Sequence, residues 1–265
     1  MRVAVVTGAS SGFGKATASL FAARGFRVFG TSRTPRADRD DGFEMLELDV
    51  DSDVSVYRCV KTIQERAGAV DVLVNNAGLV LTGSIEETST EEAKAHFETN
   101  FFGAVRMTRA VLPPMRERRR GRIVNIGSVA GTFPVPFEGY YAAAKAALRA
   151  YTQALRLEVA RFNIHVSIVE PGFFRTNIGN ARKVAAKPLD AYASARERVD
   201  RRLAEHLEKG ADPRIVAKRI LGIVEDPKPR LRYPVGKERR YLLLEKITPA
   251  AQFEAGLRRH WKLDR

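Results

Sequence analysis

Short apolar runs alternate with longer amphipathic stretches along most of this chain. Six runs have the length and continuous hydrophobicity typical of buried parallel strands: Val3 to Val6, Val28 to Gly30, Met45 to Leu48, Val72 to Val74, Ile123 to Ile126 and Val166 to Val169. Helical patterns fill the gaps between them. This order predicts an α/β fold, a doubly wound parallel sheet with helices on both faces and right-handed crossovers. Ligands of such sheets bind at the carboxyl ends of the strands.

The 265 residues are enough for one sizeable core, and an α/β chain of this length need not be divided. We therefore expect a single domain over residues 1–265. Residues 177–212 are polar and charged and predict a helical segment without a strand, either a substrate lid or a rigid pair of surface helices. A helix over 213–224 and a short strand near 231–233 are expected next, before a C-terminal extension over 235–265.

The extension ends in an amphipathic segment from Pro249 to Leu263. Its apolar side carries Phe253, Leu257 and Trp261 at helical spacing, and its other side is basic. The pattern favours docking on the protein's own core or on a partner subunit. Attachment to a membrane surface is the less favoured alternative.

The charge of the chain is strongly positive, with 45 basic and 31 acidic residues and a formal net charge of +14. Such a charge attracts nucleic acid, anionic lipid and anionic ligands without specificity. Part of it lies in residues 116–120, where an interleaved acid predicts a solvated surface. Because no helix-turn-helix, zinc finger or RNA-binding aromatic motif accompanies the charge, nucleic-acid binding is not expected.

Cysteine use and the first residues bear on the compartment. Cys59 is the only cysteine, which excludes an intramolecular disulfide, and no CxxC motif or His/Cys cluster indicates a metal site. The first strand leads into a glycine loop without the long apolar stretch of a signal peptide or membrane span. We expect a soluble, cytoplasmic protein with no metal.

The loop after the first strand reads Thr7-Gly8-Ala9-Ser10-Ser11-Gly12-Phe13-Gly14. Backbone amides in such a loop, together with the N-terminus of the next helix, can receive a pyrophosphate. Glycines remove side chains where the ligand must come close. The GxxxGxG spacing differs from the GxGxxG of many dinucleotide enzymes, but its position directly after a strand predicts a Rossmann-type nucleotide site.

The end of the second strand bears on which nucleotide is bound. An acidic residue there would bind the 2′-hydroxyl of NAD. This chain has Thr31-Ser32-Arg33 at that point, and its first acidic residue is Asp38. Arg33 could bind a 2′-phosphate, so NADP(H) is favoured over NAD(H). The alternative is that Arg33 is a solvated loop residue and the cofactor is NAD(H).

Tyr141 and Lys145 lie one helical turn apart in Tyr-Ala-Ala-Ala-Lys, and Ser128 precedes them. A tyrosine hydroxyl with an ordinary pKa near ~10 is a poor acid or base at neutral pH unless a cation lies beside it. Residues at i and i+4 share a helix face, so Lys145 could favour the phenolate while Ser128 binds a substrate oxygen. Alone, the pair would more simply be a surface Tyr and Lys.

Further motifs occur in a characteristic order: Asn75-Asn76-Ala77-Gly78 after the fourth strand, Asn100 in a helix, Asn125-Ile126-Gly127-Ser128, and Pro171-Gly172. With the glycine loop and the Tyr-Lys pair, they make the chain resemble the compact short-chain dehydrogenases/reductases over nearly its full length. Residues 133–137 and 171–176 are similar to the branch that contains 17β-hydroxysteroid and retinol dehydrogenases and to bacterial ketoreductases.

The resemblance implies roles for individual residues. Ser128, Tyr141 and Lys145 would be catalytic, with Asn100 as a fourth member that holds a water on a proton path to Lys145. Cofactor binding would fall to Gly8, Ser10, Ser11, Gly12, Phe13, Gly14, Arg33, Asp49, Val50, Asn76, Ala77, Gly78, Tyr141, Lys145, Pro171, Gly172, Phe174 and Thr176. Taken by themselves, residues 75–78 could equally be a structural turn and Asp49 a helix cap. Many NADP-dependent relatives have a basic residue where Ser11 stands, which leaves Arg33 as the main argument for NADP(H).

The expected function is therefore an NADP(H)-dependent oxidoreductase that interconverts a ketone or aldehyde and an alcohol by hydride transfer. The substrate is expected to be lipophilic: steroid-, retinoid- or polyketide-like. One alternative is a non-catalytic NADP-binding redox sensor or interaction protein. Another is a halohydrin dehalogenase, although such relatives have lost the glycine loop. By analogy the chain is expected to form a homodimer or homotetramer.

Overall fold

A computed structural model of the protein describes residues 1–35, 42–176 and 182–263. The strands are β1 (Val3–Val6), β2 (Arg27–Ser32), β3 (Glu44–Glu47), β4 (Val72–Asn75), β5 (Val80–Thr82), β6 (Gly121–Ile126), β7 (Ile164–Pro171), β8 (Arg182–Val184) and β9 (Arg232–Val235). The α-helices are α1 (Gly12–Ala22), α2 (Asp53–Ala67), α3 (Thr90–Phe97), α4 (Gly103–Glu117), α5 (Gly139–Val159), α6 (Asp190–Glu208), α7 (Arg214–Glu225), α8 (Arg239–Ile247) and α9 (Ala250–His260). Asp38 lies outside the described residues.

Seven strands form one parallel sheet in the order β3-β2-β1-β4-β6-β7-β9. The chain builds outward from β1 in one direction and then returns to build outward from β4 in the other. The predicted doubly wound α/β fold is therefore confirmed, and each of the six predicted strands is present. The reversal between β1 and β4 separates the connections that follow these two strands, which opens a crevice at their carboxyl ends.

The two faces of the sheet carry separate apolar cores because side chains alternate along each strand. Val3 and Val5 of β1 face one core, which contains α2, α4 and α5 residues such as Met107. Ala4 and Val6 face the other core, where α1 and α7 pack. Both faces are thus covered, which is why these strands read as continuous apolar runs.

The expectation that residues 177–212 contain no strand was wrong. β8 begins at Arg182 and pairs in parallel with β5, with Val80 opposite Arg182. The three residues of β8 are of mixed polarity and show no alternation that would mark a strand in the sequence. The edge of β5, which is distant in sequence, provides their hydrogen-bonding partner. The rest of the segment is helical over α6, and residues 177–181 lie outside the described residues.

The C-terminal helix α9 contacts the α6 region within the same chain. Trp261 is 3% exposed and belongs to an apolar cluster with Val199 and Leu203 of α6, which Phe173 also contacts. Contacts within the chain therefore account for the apolar side of this segment near Trp261. None of the helices in the described part of the chain is both long and apolar enough to cross a membrane.

The basic run at residues 116–120 is not simply a solvated surface. Arg118 and Arg120 donate hydrogen bonds of 3.1 and 2.7 Å to Oδ1 of Asp71, whose Oδ2 accepts a bond of 2.9 Å from the backbone N–H of Val3. Burial alone would raise the pKa of Asp71, but these donors outweigh it and hold the pKa below 3.8. Asp71 thus ties the start of β1 to the loop between α4 and β6.

We predict that Asp71→Asn lowers the free energy of unfolding at pH 7 by about 1–3 kcal/mol, because an amide is uncharged and its one oxygen cannot replace both Oδ1, which accepts from the guanidinium groups, and Oδ2, which accepts from the Val3 N–H. The folded-state pKa of Asp71 is depressed, so its contribution is present above the unfolded-state pKa and is lost as pH falls below 3.8. Urea unfolding at pH 7 and at a series of pH values below 3.8 measures this, with Glu117→Gln as a control of equal charge change in the same region. Equal stability of the Asp71 variant and wild type at pH 7 would contradict it.

Candidate active site

A polar clamp joins the loops after β1 and β4. The Thr7 hydroxyl accepts hydrogen bonds of 2.9 Å from the backbone N–H groups of Asn76 and Ala77. In return, Nδ2 of Asn76 donates to the carbonyl oxygens of Thr7 at 2.8 Å and Gly8 at 3.1 Å. The clamp fixes the glycine loop against the 75–78 segment, so this segment is more than an isolated turn.

The glycine loop has the geometry of an anion cradle. Gly8 and Gly12 adopt left-handed φ values of +65° and +55°, which a residue with a Cβ rarely adopts. The first turn of α1 has no acidic residue, and Ser11 at its N-cap provides no side-chain hydrogen bond. The Ser11 side chain therefore does not compete with a ligand for the N–H groups of that turn, and the loop fits a pyrophosphate.

Gly14 has a different position from the other two glycines. A Cβ at Gly14 would collide with the Gly8 carbonyl oxygen and lie 2.5 Å from Nδ2 of Asn76. Gly14 is also outside the lining of the cleft described next. Its missing side chain lets α1 pack against the clamped loop and does not admit a ligand directly.

A cleft of about 570 Å³ runs along the carboxyl edge of the sheet. It brings together nearly all the residues expected at the site: Gly8, Ser10, Ser11, Gly12, Phe13, Arg33, Asp49, Val50, Asn76, Ala77, Gly78, Asn100, Ser128, Tyr141, Lys145, Pro171, Gly172, Phe174 and Thr176. These residues come from loops far apart in the sequence, so their convergence is a property of the fold.

Ser128, Tyr141 and Lys145 meet in one wall of the cleft. Ser128 follows β6 and accepts a 3.1 Å hydrogen bond from the N–H of Ala130, which fixes its side chain, and it is hydrogen-bonded to Tyr141. Lys145 is 5% exposed; its Nζ donates to the Ile126 carbonyl oxygen at 3.0 Å and lies 5.6 Å from the centre of the Tyr141 ring. Burial lowers the pKa of Lys145 to about 8.

Desolvation opposes the expected effect of Lys145 on Tyr141. Lys145 was expected to favour the phenolate of Tyr141, yet the pKa of Tyr141 is raised to about 12. Desolvation is the main cause and the charge of Glu138 adds to it, while the hydrogen bond with Ser128 acts in the opposite direction. Tyr141 is therefore a protonated hydroxyl at neutral pH and can donate a proton in the cleft.

Asn100 lies in a π-helical turn, Glu98–Phe102, between α3 and α4. Such turns insert one extra residue and are frequent at functional sites. The Asn100 amide donates to the Leu79 carbonyl oxygen at 3.0 Å, and its Oδ1 accepts from the Leu79 N–H at 3.4 Å. A Cβ at Gly78 would lie 2.8 Å from Oδ1 of Asn100 and 3.6 Å from Nζ of Lys145. Gly78 thus allows Asn100 and Lys145 to approach each other.

Two residues at the site were missed by the sequence analysis. His96 is 2% exposed, contacts Asn100 and the Leu79 carbonyl oxygen, and packs edge-on against the Tyr141 ring. Burial lowers its pKa to about 4, so it is neutral at pH 7. The signal in the sequence that could have identified His96 was its position four residues before Asn100. Glu138 also lines the cleft, and nothing in its sequence context marked it.

Arg33 is exposed at the end of β2 and lines the cleft beside Thr31 and Ser32. It takes part in no ion pair with the residues that the structure describes. Asp49, after β3, lines the same region, and its Oδ1 accepts a 3.1 Å hydrogen bond from the N–H of Asp51. Both side chains lie on the cleft, and their roles toward a cofactor are taken up below.

Comparison with known families agrees with this architecture. A sequence profile described as short chain dehydrogenase matches residues 2–186, which include the glycine loop, Ser128, Tyr141 and Lys145. The chain belongs to the short-chain dehydrogenase/reductase family. It is therefore an oxidoreductase of the type that acts on carbonyl and alcohol groups with a nicotinamide cofactor.

Individual relatives of this short-chain dehydrogenase/reductase cover most of the chain. A 3-ketodihydrosphingosine reductase of Bacteroides thetaiotaomicron is 39% identical over 237 residues, 89% of this chain and 88% of the relative. The crystal structure of a short-chain dehydrogenase from Streptomyces avermitilis matches with a TM-score of 0.84 and 37% identity, covering 99% of this chain and 96% of that one. The closed form of serine dehydrogenase complexed with NADP+ matches with a TM-score of 0.76 and 28% identity, covering 88% and 94%.

We predict that Gly14→Ala lowers the free energy of unfolding by about 1–3 kcal/mol, because the new methyl group displaces the Gly8 carbonyl and the Asn76 amide. Cofactor affinity should fall with it, since both groups belong to the clamped loop. Gly222→Ala in α7 is the matched control: a Cβ there meets open space. That substitution should stabilise the protein by up to about 1 kcal/mol. Chemical denaturation of both variants measures the difference, and stabilisation by Gly14→Ala would refute the packing argument.

Proposed function

We propose that this enzyme is an NADP(H)-dependent reductase and dehydrogenase that interconverts a lipophilic ketone or aldehyde and the corresponding alcohol. The observation that carries the proposal is the position of Tyr141. It lies in the cleft, is hydrogen-bonded to Ser128 and holds its proton at neutral pH. A carbonyl oxygen beside these two hydroxyls would find one donor to orient it and one acid to protonate it.

The proposed mechanism assigns a separate task to each side chain. A bound reduced nicotinamide would supply the hydride to the carbonyl carbon. Ser128 and Tyr141 hold the carbonyl oxygen by hydrogen bonds, and Tyr141 gives up its proton as negative charge develops there. The nearby ammonium of Lys145 stabilises the phenolate that remains. Asn100 keeps the β4–β5 connection in place beside Lys145. Oxidation of an alcohol uses the same groups in reverse.

The proposed preference for NADP(H) depends on Arg33. This guanidinium lines the cleft at the end of β2, where a carboxylate would select NAD(H). A 2′-phosphate there would form charge-assisted hydrogen bonds with Arg33 and meet no carboxylate on β2. The structural relative that binds NADP+ is compatible with this proposal.

A lipophilic substrate accords with the composition of the other end of the cleft. Phe133, Val135 and Phe173 line it, together with Leu203 and Leu207 of α6. We assign residues 177–212 as the substrate lid, because α6 covers this end of the cleft. Hydride transfer requires exclusion of water, which such a cover provides.

Two further features of the enzyme are proposed by analogy. The chain would form a homodimer or homotetramer through α4 and α5, where Leu157 exposes 75% of its surface. It would work in the cytoplasm, where NADPH is kept reduced and favours carbonyl reduction.

We predict that Tyr141→Phe lowers kcat for NADPH-dependent ketone reduction by about 10²- to 10⁴-fold, because the proton donor is lost. Binding of NADPH, followed by fluorescence titration, should remain close to that of wild type. Tyr140→Phe is the matched control, since Tyr140 is the adjacent tyrosine and does not line the cleft. Retained turnover in the Tyr141 variant would disprove the assignment. NADPH binding without turnover of any carbonyl by wild type would instead indicate a redox sensor.

We predict that Arg33→Ala weakens NADPH binding by about tenfold or more, the usual value of a charge-assisted hydrogen bond, and leaves NADH binding nearly unchanged. Arg24→Ala removes an equal charge from an exposed position that does not line the cleft and serves as the control. Dissociation constants for both cofactors measure the effect. An equal loss of NADPH and NADH affinity would contradict recognition of the 2′-phosphate by Arg33.

A further inference from the structure

Glu138 is a buried carboxylate in the substrate end of the cleft. Its side chain is 8% exposed and lies among the residues that line the cleft. Its backbone is fully engaged, since its N–H donates to the Val135 carbonyl oxygen and its carbonyl oxygen accepts from the N–H of Ala142. The carboxylate itself accepts no hydrogen bond from the residues that the structure describes.

Capping of α5 does not explain this residue. Glu138 occupies the N-cap position of α5, yet its side chain makes no capping hydrogen bond to the first turn. Acidic residues at a helix N-terminus normally satisfy free N–H groups or sit in solvent. Glu138 does neither: its carboxylate faces the cleft with Arg182 at 3.9 Å as its charged contact, and a cationic ligand in the cleft would complete its hydrogen bonding.

Glu138, Asp200 and Arg182 form a group with two carboxylates and one cation. Arg182 of β8 is the nearest cation, with its Nη2 3.9 Å from Oε1 of Glu138. The same Nη2 donates to Asp200 at 2.6 Å, and Nε of Arg182 donates to Thr82. One guanidinium therefore serves two carboxylates and forms its short contact with Asp200. Burial raises the pKa of Glu138 to about 7, against the opposing effect of Arg182, and Asp200 raises it further.

Lys145 and Lys183, which also line the cleft, form no ion pair with Glu138 in the part of the chain that the structure describes. Lys145 donates its hydrogen bond to the Ile126 carbonyl oxygen, and Lys183 is exposed and forms no ion pair within the described residues. Glu138 is also close to the chemistry, because its charge contributes to the raised pKa of Tyr141 three residues later. A cationic donor bound by Glu138 would lie near the group that protonates the carbonyl.

We propose that Glu138 is a specificity-determining residue that binds the protonated amine of the substrate, which makes the substrate class a lipophilic amino ketone or the matching amino alcohol. The proposal rests on the function proposed above. The apolar residues of the cleft hold the aliphatic part of the substrate. The ammonium lies against Glu138 and the carbonyl oxygen against Tyr141. A cation at Glu138 also supplies the hydrogen bonds that the carboxylate lacks.

The kinetic test compares two matched substrates, a 2-amino-3-ketone and the 3-ketone of the same chain length without the amine. The measured quantity is the ratio of kcat/KM for the amino ketone to kcat/KM for the plain ketone, with NADPH. We expect Glu138→Gln to lower this ratio by about tenfold or more, the value of a charge-assisted hydrogen bond. Glu138→Asp, which keeps the charge, should restore part of the ratio. An unchanged ratio in Glu138→Gln would overturn the proposal.

Two controls separate specificity from general damage. Glu91→Gln removes an equal charge from an exposed position outside the cleft and should keep the wild-type ratio. Thermal unfolding of each variant shows whether it is folded. An equal drop of both kcat/KM values in a folded Glu138→Gln variant would assign Glu138 a structural role and overturn the proposal.

A binding measurement keeps the proposal testable without turnover. Octylamine and octan-1-ol are titrated calorimetrically into the enzyme in the presence of NADP+. We expect wild type to bind octylamine more tightly than octan-1-ol. In Glu138→Gln the ratio of the two affinities should fall by about tenfold. Selective amine binding without turnover of either ketone would support the role of Glu138 and reject the reductase proposal. Equal binding of both compounds by wild type would overturn the role of Glu138 alone.

Discussion

The mutual hydrogen bonding of Thr7 and Asn76 is the interaction on which the rest of the site depends. A doubly wound sheet leaves a crevice where the strand order reverses, but the crevice alone does not set the distance between its two sides. The Thr7 hydroxyl and the Asn76 amide join the loop after β1 to the loop after β4. Gly78, two residues beyond Asn76, then lies against Asn100 and Lys145. The glycine loop and the wall of the cleft that contains Lys145 are thus held in a common frame.

Desolvation sets the protonation states inside that frame. It raises the pKa of Tyr141 to about 12 and that of Glu138 to about 7, and it lowers the pKa of Lys145 to about 8 and that of His96 to about 4. Each shift favours the neutral form, because few of these groups have a charged partner within the protein. A ligand that brings its own charge into the cleft would reverse part of this effect.

The two ends of the cleft have different origins in the chain. The family profile ends at residue 186, whereas α6 begins at Asp190 and α9 lies near the C-terminus. Leu203 of α6 lines the substrate end and packs in the same cluster as Trp261. Ser128, Tyr141 and Lys145 therefore lie in the part of the fold that the family profile matches, whereas α6, which covers the other end of the cleft, and α9 lie beyond it. Such segments can change without disturbing the sheet, since they contact it mainly at its edge.

By itself, the sequence determined the strands of the seven-stranded sheet, the nucleotide loop and the position of the Ser128, Tyr141 and Lys145 motifs. These features arise from local patterns: apolar runs, glycine spacing and residues one helical turn apart. Only the tertiary structure decided that Arg182 belongs to a strand, that Gly14 serves packing, and that burial raises the pKa of Tyr141 to about 12. It also decided that Glu138 is buried in the cleft. Each of these features depends on contacts between residues that are distant in sequence and on the exclusion of water by those contacts. A local sequence pattern contains no information about either.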